Sequence, residues 1–112
     1  VGLPSIDECE GYDRPHLEIP SQMNALVEAV AEVTPRLVVV LMGGSPMNLP
    51  WLAKVPCVLY MGLGGQAVGG ALVDLLFGDV DPEGRLAETW PLTIDDVPST
   101  ANFAKHRRQV VY

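Results

Sequence analysis

The segment Arg36 to Met42 reads RLVVVLM, with six consecutive apolar residues, half of them β-branched. This run constrains the fold more than any other feature. A strand with one face in water alternates apolar and polar residues, whereas an unbroken apolar run is the signature of a parallel strand covered on both faces. A second such segment, Cys57 to Gly62 (CVLYMG), follows after Pro56. The two are expected to be neighbouring parallel strands, each buried on both sides.

The flanking sequence supplies helices. Met23, Leu26, Val27 and Val30 recur at helical spacing, with Asn24, Glu28 and Glu32 off that stripe. The expected helix covers roughly Ser21 to Val33, capped by the Ser21 hydroxyl and ended by Pro35. A second helix is expected over roughly Gln66 to Phe77, where Leu72, Val73, Leu75, Leu76 and Phe77 form a broad apolar surface. Gly78 is its expected cap. Asp79 to Gly84 (DVDPEG) is turn chemistry, with Pro82 fixing φ and Gly84 permitting a positive φ. Arg85 to Trp90 reads as a third, more polar strand, residues 91–109 as irregular, and residues 1–20 as a Pro-interrupted loop. Leu49 to Lys54 allows a short helical turn around Trp51.

Strands alternating with helices predict an α/β fold, a three-layer α/β/α sandwich with a mostly parallel sheet and right-handed crossovers. With 112 residues there is room for one domain and not two cores. Two helices are too few to cover both faces of the sheet. The chain opens on Val1 and closes on Val110, Val111 and Tyr112, so it is expected to be a piece of something larger.

Fourteen acids against seven bases give a net charge of −7. No basic stripe is present to follow a phosphate backbone, so nucleic acid is not an expected partner. The basic cluster Lys105, His106, Arg107 and Arg108 reads as a solvated tail. No apolar run approaches the ~18 residues of a membrane span. Cys9 and Cys57 have no metal-ligand spacing, and a bond between them stays open.

Three segments carry candidate chemistry. Gly62-Leu63-Gly64-Gly65-Gln66-Ala67 fits a dinucleotide fingerprint between a strand and a helix, where a pyrophosphate would sit on the helix N-terminus. The acid expected to end the next strand is missing, since Asp81 and Glu83 lie in a turn. The plainer reading is a tight glycine connection. Ser45 follows Gly43-Gly44 but lacks the trailing glycine of a nucleophile elbow, and His16 and His106 offer no triad order and no metal site. The densest candidate is Asp7-Glu8-Cys9-Glu10-Gly11-Tyr12-Asp13-Arg14, four carboxylates and a guanidinium in eight residues. Crowded carboxylates oppose one another's ionisation, and burial against a ring such as Tyr12 adds to that effect. An acid kept protonated in this way can donate to a leaving group. Gly11 would let the backbone thrust Glu10 outward. On composition alone the plainer reading, an acidic surface loop with an Asp13–Arg14 pairing, prevails.

Linked motifs change that balance. Glu10 to Arg14 (E-G-Y-D-R), Leu17 to Pro20 with Gln22 and Asn24 to Val27, Leu37 to Leu41 with Gly44-Ser45-Pro46, Pro50-Trp51, Gly64-Gly65-Gln66 with Gly69 to Val80, and Asp81 to Leu86 all fall in order. Together they resemble glycoside hydrolase family three, in its β-glucosidase branch, over at least residues 8–91. Departures are Ala67 and Val68, where the family often has Glu and a small residue, and Ala87 and Glu88 in a stretch that is usually more apolar.

The resemblance implies that residues 1–112 are the C-terminal portion of a six-stranded α/β sandwich domain. An N-terminal barrel of the same parent chain would hold an aspartate nucleophile, and Glu10 would be the general acid/base. It also implies a retaining mechanism on a β-glucoside or oligosaccharide, without metal or organic cofactor. The alternative is a domain that only frames the site, because in some relatives the acid/base lies on the barrel.

Overall fold

The computed structural model describes residues 1–103 and 105. Its centre is a two-stranded parallel sheet, β1 (Val38–Met42) and β2 (Cys57–Gly62). Val38 pairs with Cys57 and Leu41 with Tyr60; an irregularity after Leu41 then sets Met42 opposite Gly62. On the other edge of β1 the chain start runs parallel to it. The Val1 ammonium donates to the Val40 carbonyl, Met42 N–H donates to the Val1 carbonyl, and Leu3 N–H donates to the Met42 carbonyl. A second isolated parallel bridge joins Glu18 to Asn48.

Helix α1 (Ser21–Val33) precedes β1, and α2 (Val68–Phe77) follows β2. The start of α1 differs from expectation. Pro20 occupies the cap position and no side chain caps the helix; the Pro20 carbonyl accepts from Met23 and Asn24 N–H instead. Ser21 is the first helical residue and faces solvent. The apolar stripe is also narrower than its sequence suggests, with Val27 buried, Met23 and Val30 half-buried, and Leu26 exposed. α2 starts two residues later than expected and ends at Gly78, whose φ of 81° is left-handed backbone that glycine adopts without a Cβ penalty.

The core is small. Ile19, Val27, Val39, Leu41, Met47 and Trp51 form one buried cluster beneath β1. Trp51 is fully enclosed, just ahead of the 3₁₀ turn Leu52–Lys54, and its Nε1–H donates to Asn24 Oδ1 at 2.8 Å. A buried indole N–H without that acceptor would carry an unpaid desolvation cost, so Asn24 locks α1 to the turn.

Burial on both faces of each strand does not occur. Along β1, Val39 and Leu41 are buried while Val38 and Met42 are exposed, and β2 has no buried residue. The cause is missing cover. α1 packs through Val27 on the Val39 and Leu41 side, whereas α2 contributes nothing to the buried cluster and leaves Val73, Leu76 and Phe77 exposed. The apolar runs therefore encode a two-faced environment of which these residues supply one face.

Beyond α2 the expected third strand at residues 85–90 does not form. Arg85 curls back to the Glu83 and Gly84 carbonyls, and Gly84 does not use positive φ. Two 3₁₀ turns follow, Ile94–Asp96 and Pro98–Ala101, the first closed by a reciprocal cap between Thr93 and Asp96. Trp90 meets Tyr60 of β2 edge-on, with ring centroids 5.1 Å apart. Of the basic tail, Lys105 donates to the Thr100 carbonyl; His106, Arg107 and Arg108 lie outside the described residues.

Candidate active site

Ligand sites in open parallel α/β sheets lie beyond the carboxyl ends of the strands. Here that end of β1 runs into Gly43-Gly44-Ser45-Pro46, and the loop of residues 5–14 lies against it. The pairing of residues 1–3 with β1 places this loop there.

Two side chains tie the loops together. The Glu8 carboxylate accepts from Gly44 N–H with both oxygens, at 2.9 and 3.1 Å. Arg14 Nη2 donates to the Pro46 carbonyl. The expected Asp13–Arg14 pairing is absent among the described ion pairs, because the guanidinium points at a carbonyl instead. Arg14 Nη1 is buried and has no hydrogen-bond partner among the described residues.

Glu10 lies between these ties, next to Gly11 at φ 85°. Its residue is exposed, and no hydrogen bond or ion pair holds its carboxylate among the described residues. Tyr12 is 55% exposed, so the expected shelter against a ring is not built within this chain. The backbone does present Glu10 outward, as the adjacent glycine suggested.

Below the loop, Tyr60 donates from its hydroxyl to the Gly43 carbonyl at 2.6 Å. Burial pushes the Tyr60 phenol above its ordinary value, and the nearby carboxylates of Glu8 and Glu88 add to that. Beside the loop, Asp13, Arg14, His16, Ser45, Pro46 and Phe103 help to line an open groove of about 930 Å³. Glu10 is not among the residues that line it.

The other candidates assemble no catalytic set of their own among the described residues. Ser45 is half-buried, and no histidine bonds to it among the described residues; His16 pairs with Glu18 at 3.5 Å. At the glycine turn, Gly62 and Gly65 take positive φ, and the place of a side chain on Gly64 is filled by Val68 Cγ2. These glycines serve the tight turn between β2 and α2. Cys9 and Cys57 are both free and exposed. No three His, Cys, Asp or Glu side chains converge as a metal site among the described residues, and no described helix is long and apolar enough to cross a membrane.

The roles of Glu8 and Tyr60 were not visible in the sequence. Glu8 was one of four loop acids, and nothing local links it to an amide 36 residues away.

A parallel α/β unit with a carboxylate loop at its strand ends fits a domain that borders an active site. Over residues 1–112 the chain matches the family model for the glycosyl hydrolase family 3 C-terminal domain, and it belongs to that family. It is 53% identical over its whole length to the thermostable β-glucosidase B of Acetivibrio thermocellus, of which it spans 15%. It is 49% identical over 86% of its length to a β-glucosidase of Rhizobium radiobacter, spanning 12% of that protein. Among solved structures, the Bifidobacterium adolescentis family 3 β-glucosidase superposes with a TM-score of 0.88 at 43% identity, covering 97% of this chain and 16% of that one. The Kluyveromyces marxianus β-glucosidase, solved in complex with glucose, gives 0.86 at 39% identity, with 92% and 12% covered. The glycosidase context is thus established, while the chain spans less than a fifth of each of these relatives.

Proposed function

We propose that this chain is the acid/base-bearing part of a retaining β-glucosidase that releases terminal non-reducing β-D-glucosyl residues, with Glu10 as the general acid/base. The observation that carries the reading is the presentation of Glu10. It sits on a glycine turn at the carboxyl end of the sheet, unengaged by any described residue, in a loop held at both sides. An acid that must reach a glycosidic oxygen on another domain needs this freedom. The β-glucosidase names of the relatives support the substrate class.

The mechanism follows from carboxylate chemistry. Retention needs two carboxyl groups ~5–5.5 Å apart. One attacks the anomeric carbon. The other protonates the departing oxygen and then takes a proton from water. Glu10 takes the second role, and an aspartate of an N-terminal barrel in the parent chain takes the first. Closure of that barrel over the loop would exclude water from Glu10, which the present chain leaves solvated.

The test uses Glu10→Ala in the full-length polypeptide that carries this chain. General acid catalysis contributes typically ~10²–10⁴-fold. Glycosylation should slow by about that factor for a sugar leaving group and little for dinitrophenolate, which departs unaided. Azide should restore turnover and yield a β-glycosyl azide, a rescue that Asp13→Ala lacks. Equal slowing for all leaving groups, with no azide product, would remove the assignment.

A further inference from the structure

We propose that Glu8 and Arg14 are positioning residues, a two-point clamp that holds the Glu10 turn in place; this rests on the acid/base reading of Glu10. The two holds grip one short loop. Glu8 accepts from Gly44 N–H with both carboxylate oxygens, and Arg14 donates to the Pro46 carbonyl two residues further on. Between Glu8 and Arg14 the chain can extend ~20 Å at ~3.3–3.6 Å per residue. With its ends gripped at neighbouring residues, this span must arch, and Gly11 at φ 85° lets it turn. Glu10 lies on that arch. Both bonds involve a charged group, which makes them shorter and stronger than neutral ones.

Gly44 is the point where the clamp is most exposed to disturbance. A Cβ there would lie 2.9 Å from Glu8 Oε2 and 3.1 Å from Leu63 Cδ1. Its φ is not in the left-handed region, so Gly44→Ala displaces Glu8 without straining the backbone. Tyr60 supports the same loop from below by donating to the Gly43 carbonyl. A general acid released from such a hold still exists but no longer meets the leaving oxygen, and a misplacement of ~1 Å can cost ~10²-fold.

The experiment uses Glu8→Ala, Gly44→Ala and Glu8→Gln in the full-length polypeptide. Glu8→Ala and Gly44→Ala should lower kcat for a sugar or methyl leaving group by about 10- to 100-fold. Both should change kcat/KM for the dinitrophenyl glucoside, which reports glycosylation alone, less than about twofold, and neither should yield a glycosyl azide, because the Glu10 carboxylate remains. Glu8→Gln keeps an acceptor oxygen for Gly44 N–H and should stay within about threefold of wild type. Introduced into Glu10→Ala, Glu8→Ala should cost less than about twofold, because two residues that act as one unit are not additive. Glu8→Ala losses that are equal across leaving groups, or that persist undiminished on the Glu10→Ala background, would overturn the clamp while Glu10→Ala keeps its own leaving-group dependence and azide rescue. Loss of those two signatures in Glu10→Ala itself would instead remove the acid/base reading, and the clamp with it. Should Glu8→Ala fail to fold, Gly44→Ala decides the matter by the same leaving-group comparison.

Discussion

Consider the 112-residue chain produced alone. Its accessible surface is 8363 Å². A compact monomer of 12.1 kDa exposes ~6,000 Å² by the usual size scaling, so the excess is roughly 2,300 Å². That is nearly three times the ~800 Å² one partner buries in an ordinary protein interface. The excess has identifiable sources: Val33, Leu63, Phe77 and Leu92 are each more than 70% exposed. The radius of gyration agrees, at 16.1 Å against ~13 Å for a compact chain of about 100 residues. By the same scaling the unfolded chain exposes ~17,500 Å², so unfolding uncovers roughly four-fifths of the surface that a compact chain of this mass would uncover, and the urea dependence of stability scales with that surface. We expect an m-value about a fifth below that of a compact domain of equal length, together with strong binding of an apolar dye such as ANS. Two tryptophans report separately. Trp51 is fully buried and Trp90 only half-buried, so Trp51→Phe and Trp90→Phe variants should show transitions that do not coincide. On the proposed mechanism the same preparation should not hydrolyse an aryl β-glucoside, since Glu10 alone cannot complete a double displacement. A single coincident transition with the full m-value of a compact domain of equal length and no dye binding would refute the argument that this surface awaits cover.

Two other outcomes follow from particular contacts. Asn24→Leu leaves the buried Trp51 N–H without its acceptor and should destabilise the folded domain by ~1–3 kcal/mol; thermal unfolding of the full-length protein reads this, and Trp51→Phe on the Asn24→Leu background should recover part of the loss. Tyr60 titrates above its ordinary value, so its folded form holds the proton more tightly than its unfolded form. Its contribution to stability is then present below about pH 10 and is lost as pH rises through the folded value; difference absorbance against Tyr60→Phe measures the midpoint, which Glu8→Gln should lower by removing one of the carboxylates that hold it up.

What could be read from the sequence was what neighbouring residues decide. VVVLM and CVLYMG form parallel strands because their β-branched and apolar side chains suit a pleated, covered surface. Gly78 ends α2 because its φ favours glycine. Contacts between distant segments escaped. Pairing of residues 1–3 with β1, the Glu8–Gly44 bond and the Arg14–Pro46 bond join positions more than thirty residues apart, and no local pattern marks them. Two-face burial failed for a different reason. The apolar run at Val38 to Met42 reports the environment it is made for, and this chain contains one side of it. Arg85 to Trp90 failed as a strand because no neighbouring strand offers it a ladder here, and Arg85 satisfies local carbonyls. The Glu10 turn was legible through Gly11, but what holds it was not.

The choice of a carbonyl as the Arg14 partner has a consequence for tolerance to salt. Dissolved ions weaken attraction between separated charges over ~8–10 Å at ordinary ionic strength. A guanidinium that hydrogen-bonds a backbone carbonyl has no opposing charge to be screened, and Arg14 is half-buried. The Pro46 carbonyl also takes up no proton in the range where enzymes work. This side of the loop that carries Glu10 should therefore stay seated in concentrated brine and in acid, conditions that loosen surface ion pairs such as Lys54–Glu28.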